Sequence, residues 1–234
     1  EDGQVRNLYE TYITENDIIQ TQHSENNDYI FGLNTVENDL YIFENVEDDE
    51  ITSLLDDREE LLSAYDRLAI NAKENLTAQM YSELTTLDIS SMKMISTGMN
   101  IVSHMAKRNN YYIPCNEGNE RVIINLKIVE GNEESGKFQI SFENEKYGKV
   151  SIEGKITLTT INVQMLSDSV EGIGRLNELA GNLKNSLGKA GFEDVKITGN
   201  RSEEIPVMHA TTKENISTAQ IFKVTKIFIA ELTN

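Results

Sequence analysis

Three alternating segments and the helical pattern that follows them decide the fold of this chain. The segments read Lys137-Phe-Gln-Ile-Ser-Phe142, Lys146-Tyr-Gly-Lys-Val-Ser-Ile-Glu-Gly-Lys-Ile156 and Ile161-Asn-Val-Gln-Met-Leu166. Successive side chains of a strand point to opposite faces, so this alternation predicts three half-buried strands. The apolar residues from Val150 to Leu158 are even-numbered and those from Ile161 to Met165 are odd-numbered. A turn near Thr159 must therefore separate two antiparallel strands.

A helix follows these strands and returns the chain to the sheet. Its buried face consists of Ile173, Leu176, Leu179, Ala180, Leu183 and Leu187. Asp168 or Ser169 is expected to cap its start. Gly191 is expected to end it, because glycine accepts the left-handed conformation common at helix ends. Val195 and Ile197 then predict another strand.

A hairpin is predicted immediately before the first of these strands. Val122, Ile124, Leu126 and Ile128 alternate strictly, and the polar loop Glu130–Gly136 connects them to Phe138. The even-numbered apolar residues of 122–142 should therefore share one buried face. These strands predict an α+β fold, with a mostly antiparallel sheet and a packed helix.

A small helical unit over residues 50–110 is expected to precede the sheet. Three apolar stripes have helical spacing. They are Ile51 to Ala72, then Leu76, Met80, Leu84 and Leu87, then Ile95, Met99, Val102 and Ala106. Asp88 is the expected cap of the third helix.

The two ends of the chain have weaker patterns. Residues 1–49 predict an irregular acidic lead-in, and residues 111–234 are expected to form the α+β domain. Thr211-Thr-Lys-Glu214 has the spacing of a capping box and predicts a last helix that includes Phe222 and Phe228. A strand over Phe222–Ala230 stays open as the alternative.

The composition excludes several classes of partner. The formal net charge is −18, with a pI of about 4.5, so phosphate backbones and anionic membrane surfaces repel the chain. The sequence contains no run of roughly 18 apolar residues, so it does not predict a membrane-spanning helix. The charge favours basic protein partners instead.

No catalytic, cofactor-binding or metal-binding motif is recognisable. His23, His104 and His209 lie in three different segments without paired spacing. Cys115 has no base beside it in sequence and is interpreted as a structural residue. We therefore expect a protein that is not an enzyme and needs no cofactor.

Residues 137–198 resemble the C-terminal domain of the flagellar hook-length control protein family, in a divergent branch. A strand leads into Lys146-Tyr-Gly-Lys-Val-Ser-Ile152, similar to the family's Pro-x-x-Leu-Gly followed by alternating Val. Ile161-Asn-Val-Gln-Met165 lies at the spacing of the family's second strand. The helix end Leu183-Lys-Asn-Ser-Leu-Gly-Lys-Ala-Gly-Phe192 is similar to the family's leucine helix before a Val strand. Asn144 and Tyr147 depart from the family's Pro and Leu.

The resemblance implies a non-enzymatic role in hook-length control and in switching of the exported substrates. It implies a cytoplasmic protein that is later exported through the flagellar type III apparatus. The implied partner is the cytoplasmic domain of the export-gate membrane protein. Two alternatives stay open: a structural or adhesion module of a secreted bacterial protein, and a small-ligand-binding domain.

The residues expected to contact such a partner lie at strand ends. Glu133 and Glu134 belong to the Glu130–Gly136 loop, and Glu143 and Glu145 flank the next turn. Tyr147 in that turn is the expected aromatic anchor, because Tyr is enriched in interface hot spots, and a core position for Tyr147 stays open as the alternative.

Overall fold

The computed structural model describes residues 19–23, 29–33, 54–55, 57–80, 86–117, 120–131, 135–205 and 219–233. These residues form eight strands and four helices. The strands are β1 (Ile19–His23), β2 (Tyr29–Leu33), β3 (Asn110–Glu117), β4 (Glu120–Gly131), β5 (Ser135–Asn144), β6 (Gly148–Thr157), β7 (Thr160–Ser167) and β8 (Asp194–Arg201). The helices are α1 (Arg58–Met80), α2 (Thr86–Lys107), α3 (Val170–Lys189) and α4 (Ala219–Thr233).

One six-stranded sheet in the order β3-β4-β5-β6-β7-β8 forms the centre of the fold. Neighbouring strands from β3 to β7 are antiparallel, whereas β7 and β8 are parallel and are connected through α3. The predicted α+β class is confirmed, with its mostly antiparallel sheet and a helical unit before it. The predicted turn between β6 and β7 is also confirmed, because Thr157 pairs with Thr160.

The alternating pattern places one apolar face of the sheet in the core. Ile140 of β5 lies opposite Leu126 of β4 and Ile152 of β6, and all three side chains are buried. The predicted buried face is confirmed, because every even-numbered apolar residue of 122–142 is buried: Val122, Ile124, Leu126, Ile128, Phe138, Ile140 and Phe142. Gly154 lies opposite Phe138 and leaves room for its ring over the backbone of β6.

Helices α3 and α4 pack on the apolar face of the sheet. Leu176, Leu183 and Leu187 of α3 are buried as predicted, and Ser169 is the N-cap. Residues 219–233 form a helix, so the strand alternative for Phe222–Ala230 is wrong. The ring of Phe228 lies 6.0 Å from that of Phe138, so α4 packs on the centre of the sheet. The predicted capping box at Thr211–Glu214 lies outside the described residues.

The described residues of the helical unit form two helices, α1 and α2, where the sequence predicted three helical stripes. The prediction that the first helix includes Ile51, Leu54 and Leu55 is wrong for the two leucines, which form a turn before α1. Asp57 stops the helix from extending backward, because its carboxylate accepts the N–H groups of Glu59 and Glu60 as an N-cap does. Asp88 lies inside α2, which begins at Thr86, so it does not cap that helix.

Aromatic contacts join the helical unit to the sheet. The Tyr65 ring of α1 lies 6.3 Å from Tyr111 of β3, which lies 5.4 Å from Phe222 of α4. The buried Tyr65 hydroxyl donates to the Tyr112 carbonyl at 2.7 Å. Burial raises the pKa of Tyr65 well above its usual value. Within the region expected to be irregular, β1 and β2 form an antiparallel pair.

Candidate functional site

The residues predicted to contact a partner divide into three groups. Glu133 and Glu134 lie outside the described residues. Glu143 and Glu145 are exposed at the β5–β6 turn. Glu143 approaches Lys149 across the two strands, with 3.9 Å between its Oε2 and the lysine Nζ. An exposed ion pair at this distance contributes little stability, so the Glu143 carboxylate can leave Lys149 to contact a partner. The exposed Glu145 carboxylate is accessible in the same way.

Tyr147 is buried in the core, which is the alternative that the sequence left open to an aromatic anchor for a partner. Its side chain is only 1% exposed. The ring packs edge-on against Phe142 at 5.9 Å, and the Lys146 Nζ lies 4.9 Å from its centroid. Burial of the ring removes apolar area from water, so Tyr147 anchors its own turn in the core instead of contacting a partner.

A hydrogen-bond network fixes the turn around Tyr147. The Tyr147 N–H donates to Asn144 Oδ1 at 2.8 Å, and the Ser167 hydroxyl donates to the Tyr147 carbonyl at 2.7 Å. The Lys149 N–H donates to Asp168 Oδ1 at 2.9 Å. Asn144 and Ser167 are buried polar residues, so loss of either partner would leave an unsatisfied group.

The start of α3 packs directly against the same turn. A Cβ atom at Gly172 would lie 2.0 Å from the Tyr147 carbonyl oxygen, so only glycine permits this approach. Gly148 has a φ of 69°, a conformation that glycine adopts without strain. The turn and the first turn of α3 therefore form one closely packed unit.

One exposed apolar residue lies in this unit. Val170 is 67% exposed and follows the N-cap Ser169. Its neighbour Glu171 is also exposed and accepts a hydrogen bond from Arg175 at 2.7 Å. We call Glu143, Glu145, Val170 and Glu171 the acidic corner. Val170 lies three residues before Ile173, so the helical spacing continues the buried stripe through it and does not indicate its exposure.

The second face of the sheet carries a different group of polar residues. Register places Lys137, Lys155, Asn162 and Lys196 directly opposite one another across β5 to β8. In the next row, Gln139 is followed by Glu153, Gln164 and Thr198. A shallow depression of about 380 Å³ lies over these strands. It is lined by the polar residues Lys137, Glu153, Lys155, Asn162, Gln164, Lys196 and Thr198, and also by Phe138, Gly154 and Val163. Sequence reasoning missed this site, because it treated the outward positions of each strand as solvated and did not align them across strands.

Buried polar groups lie nearer the other edge of the same face. Lys127 of β4 pairs with Asn110 of β3, and Asn125 lies two residues before it. Burial lowers the pKa of Lys127. Among the described residues, the Oδ1 atoms of Asn110 and Asn125 are buried without a hydrogen-bond partner. Gln139 and Ser151, both buried, satisfy each other through a bond of 2.8 Å.

Catalytic chemistry has few candidate residues in the part of the chain that the structure describes. No group of three or more His, Cys, Asp or Glu side chains there could hold a metal ion. Cys115 is buried, and its Sγ lies 3.7 Å from the Ile113 carbonyl. Asp66 is held by Lys107 and Ser103, which lower the pKa of its carboxyl. That cluster joins α1 to α2 and has a structural role.

Comparison of the chain with models of protein families, with curated proteins and with solved structures gives no match. None of the helices within the described ranges combines the length and apolarity that crossing a bilayer requires.

Proposed function

We propose that this chain is a non-enzymatic protein-interaction domain that binds its partner through the acidic corner. The observation that carries the proposal is the fixed β5–β6 turn. It presents Glu143 and Glu145 on a backbone that Asn144, Ser167 and Asp168 hold in place. Val170 adds an exposed apolar side chain beside Glu171.

Such a surface suits recognition because it is already ordered before binding. Ordering a flexible segment at an interface reduces affinity, and a rigid turn avoids most of that loss. The exposed Val170 beside the charged Glu171 also combines the apolar contact and the polar group that interfaces usually contain. Val170 takes the anchoring role that the sequence suggested for Tyr147.

The charge of the chain favours a basic partner. A net charge of −18 attracts positively charged surfaces at long range and accelerates their association. The resemblance of residues 137–198 to the hook-length control family suggests the cytoplasmic domain of the flagellar export-gate membrane protein. In that role the chain would act in hook-length control and in switching of export substrates, first in the cytoplasm and then after export through the type III apparatus.

The test is a binding measurement between the full chain and that cytoplasmic domain. Glu143→Lys combined with Glu145→Lys should slow association at least about tenfold at low salt and flatten its salt dependence. Val170→Ser should mainly speed dissociation, because it removes apolar contact area. The matched control is Glu60→Lys combined with Glu74→Lys, which reverses two exposed charges on α1.

The control variant separates a local effect from the loss of net charge. If both double variants slow association equally, the acidic corner is not the contact surface. If the wild-type chain does not bind the export-gate domain, the proposed partner is wrong. If the Glu143/Glu145 double variant and Val170→Ser both stay folded and bind as the wild-type chain does, the interface lies elsewhere.

A further inference from the structure

We propose that the free edge of β8 binds an extended segment of a partner protein, which adds to the sheet as an antiparallel strand and carries basic residues at its ends. In this mode of recognition, backbone hydrogen bonds provide affinity and alternate side chains provide specificity. The surface is distinct from the acidic corner, and its test does not depend on that proposal.

The first argument is that β8 is an edge strand without the usual blocks to further pairing. Among the residues that the structure describes, β7 is the only strand paired with β8. Edge strands commonly carry a proline, a bulge or a short length that prevents strand addition. β8 has eight residues, contains no proline and keeps one unbroken register with β7. The other edge strand, β3, differs because the Tyr65 hydroxyl of α1 donates to its Tyr112 carbonyl.

The second argument is the direction of the backbone groups of β8. The Ser202 N–H donates to the Ser167 carbonyl at 2.9 Å, and the Asp194 N–H approaches the Thr159 carbonyl, so both point toward β7. Backbone groups of successive strand residues point to alternate sides, so the even-numbered residues bond to β7. The N–H and C=O groups of the odd-numbered residues therefore point to the free edge. We call this outward set Val195, Ile197, Gly199 and Arg201.

The third argument is that the two faces of this edge differ in polarity. On the face toward α3, Val195 is buried and Ile197 is half-buried. A Cβ atom at Gly199 would lie 3.1 Å from Ile173 Cδ1, so this α3 side chain reaches over β8. On the opposite face, polar side chains such as Thr198 are exposed. The bound segment should therefore alternate apolar residues toward α3 with polar residues on the other face.

The fourth argument is the charge along the edge. Residues 193–204 include four acidic and two basic residues. Each basic residue already pairs with an acid, at 3.2 Å for Lys196 and at 3.8 Å for Arg201. The two remaining acids are exposed, with Glu193 just before β8 and Glu204 just after it. Basic residues at both ends of a bound segment would meet them, whereas a second copy of this chain, with a net charge of −18, would be repelled.

The experiment is an NMR titration of the full chain with a synthetic peptide of alternating valine and threonine that has a pair of lysines at each end. Binding should be saturable and should slow hydrogen exchange of the Val195, Ile197 and Gly199 amides at least about tenfold. The amides of Lys196 and Thr198, which already bond to β7, should change little. The same peptide with glutamates in place of the lysines should bind at least about tenfold more weakly at low salt.

Two N-methylated forms of the peptide provide a matched control for backbone pairing. Opposite residues of an antiparallel pair share one face of the sheet, so the valines that face α3 also direct their N–H groups to β8. N-methylation of the valines should therefore weaken binding at least about tenfold, and N-methylation of the threonines less than about threefold. Loss of affinity in both forms, in neither form or in the threonine form alone would overturn the proposal.

Ile197→Pro makes the same test on the protein. Proline removes an N–H that points to the free edge and leaves the bonds to β7 in place, so the fold should persist and peptide binding should be lost. Ile197→Val keeps the N–H and should change the affinity less than about twofold. If Ile197→Pro does not fold, the two N-methylated peptides decide. No protection of the outward amides at millimolar peptide, or protection that depends on protein concentration without peptide, would overturn the proposal.

Discussion

Gly154→Ala tests the packing at the centre of the sheet. A Cβ atom there would lie 2.2 Å from Cε1 and Cζ of Phe138, whose ring is fully buried against Phe228. The ring cannot move freely, so overpacking should destabilise the fold by about 1–3 kcal/mol. The smaller entropy of the unfolded alanine chain offsets about 0.4–1 kcal/mol of this. The expected net loss is therefore between about 0 and 2.6 kcal/mol, centred near about 1.3 kcal/mol.

The decisive measurement repeats the change in a Phe138→Val background. Valine lacks the ring carbons that the new Cβ would meet and is itself a good strand former. Without the clash, Gly154→Ala should stabilise the variant by about 0.4–1 kcal/mol, so the effect changes sign. Urea unfolding followed by circular dichroism on all four proteins gives the coupling energy, expected at about 1–3 kcal/mol.

Gly181→Ala is the control for the glycine substitution itself. Gly181 lies in α3 with open space around it, so alanine should stabilise the protein by about 0.5–1 kcal/mol. A clash between the new Cβ and the Phe138 ring is refuted if Gly154→Ala destabilises both backgrounds equally. It is also refuted if the wild-type protein accepts Gly154→Ala as readily as Gly181→Ala.

Three further changes test the other packed and buried groups by urea unfolding. Leu183 is fully buried, so Leu183→Ala should destabilise the protein by about 2–5 kcal/mol, and an unchanged midpoint would contradict its place in the core. Tyr65→Phe removes the buried hydroxyl that donates to the Tyr112 carbonyl and should destabilise the protein by about 1–3 kcal/mol, whereas a neutral result would mean that this bond does not secure α1. Lys127→Met should stabilise the protein by about 1 kcal/mol near neutral pH, because burial disfavours the ammonium and lowers the pKa of Lys127. Between that lowered pKa and the ordinary lysine value of about 10.4, the unfolded chain binds more protons than the folded chain. The stability of the wild-type protein should therefore rise with pH across this window. The stability advantage of Lys127→Met should shrink over the same window. A pH-independent difference would refute the assignment.

The β5–β6 turn illustrates where reasoning from the sequence fails. Tyr147 stands in a polar turn between Lys146 and Gly148, a setting that does not decide between an exposed anchor and a core residue. Its burial depends on Phe142 across the turn and on the approach of α3 through Gly172. Neither contact has a local signature, because each partner is defined only once the strands are aligned and the helix is docked.

The helical unit illustrates a second kind of failure. The apolar stripe correctly predicted the buried side of α1, including Leu61 and Tyr65. It did not predict where the helix begins, because the apolar spacing continues through Leu54 and Leu55. These two residues form a turn before the helix. The carboxylate of Asp57 decides the boundary by accepting two backbone N–H groups, which an apolar pattern does not record.

The sequence by itself determined five of the six strands of the sheet, β4 to β8, the faces that the strands from β4 to β7 bury and the leucine stripe of α3. These features depend on the periods of strands and helices, which can be read locally. Only the tertiary structure decided that Tyr147 is buried, that Val170 is exposed and that Lys137, Lys155 and Lys196 share one row. The physical reason is that strand register and helix docking bring together residues distant in sequence, so the surface chemistry of a site exists only after the fold has formed.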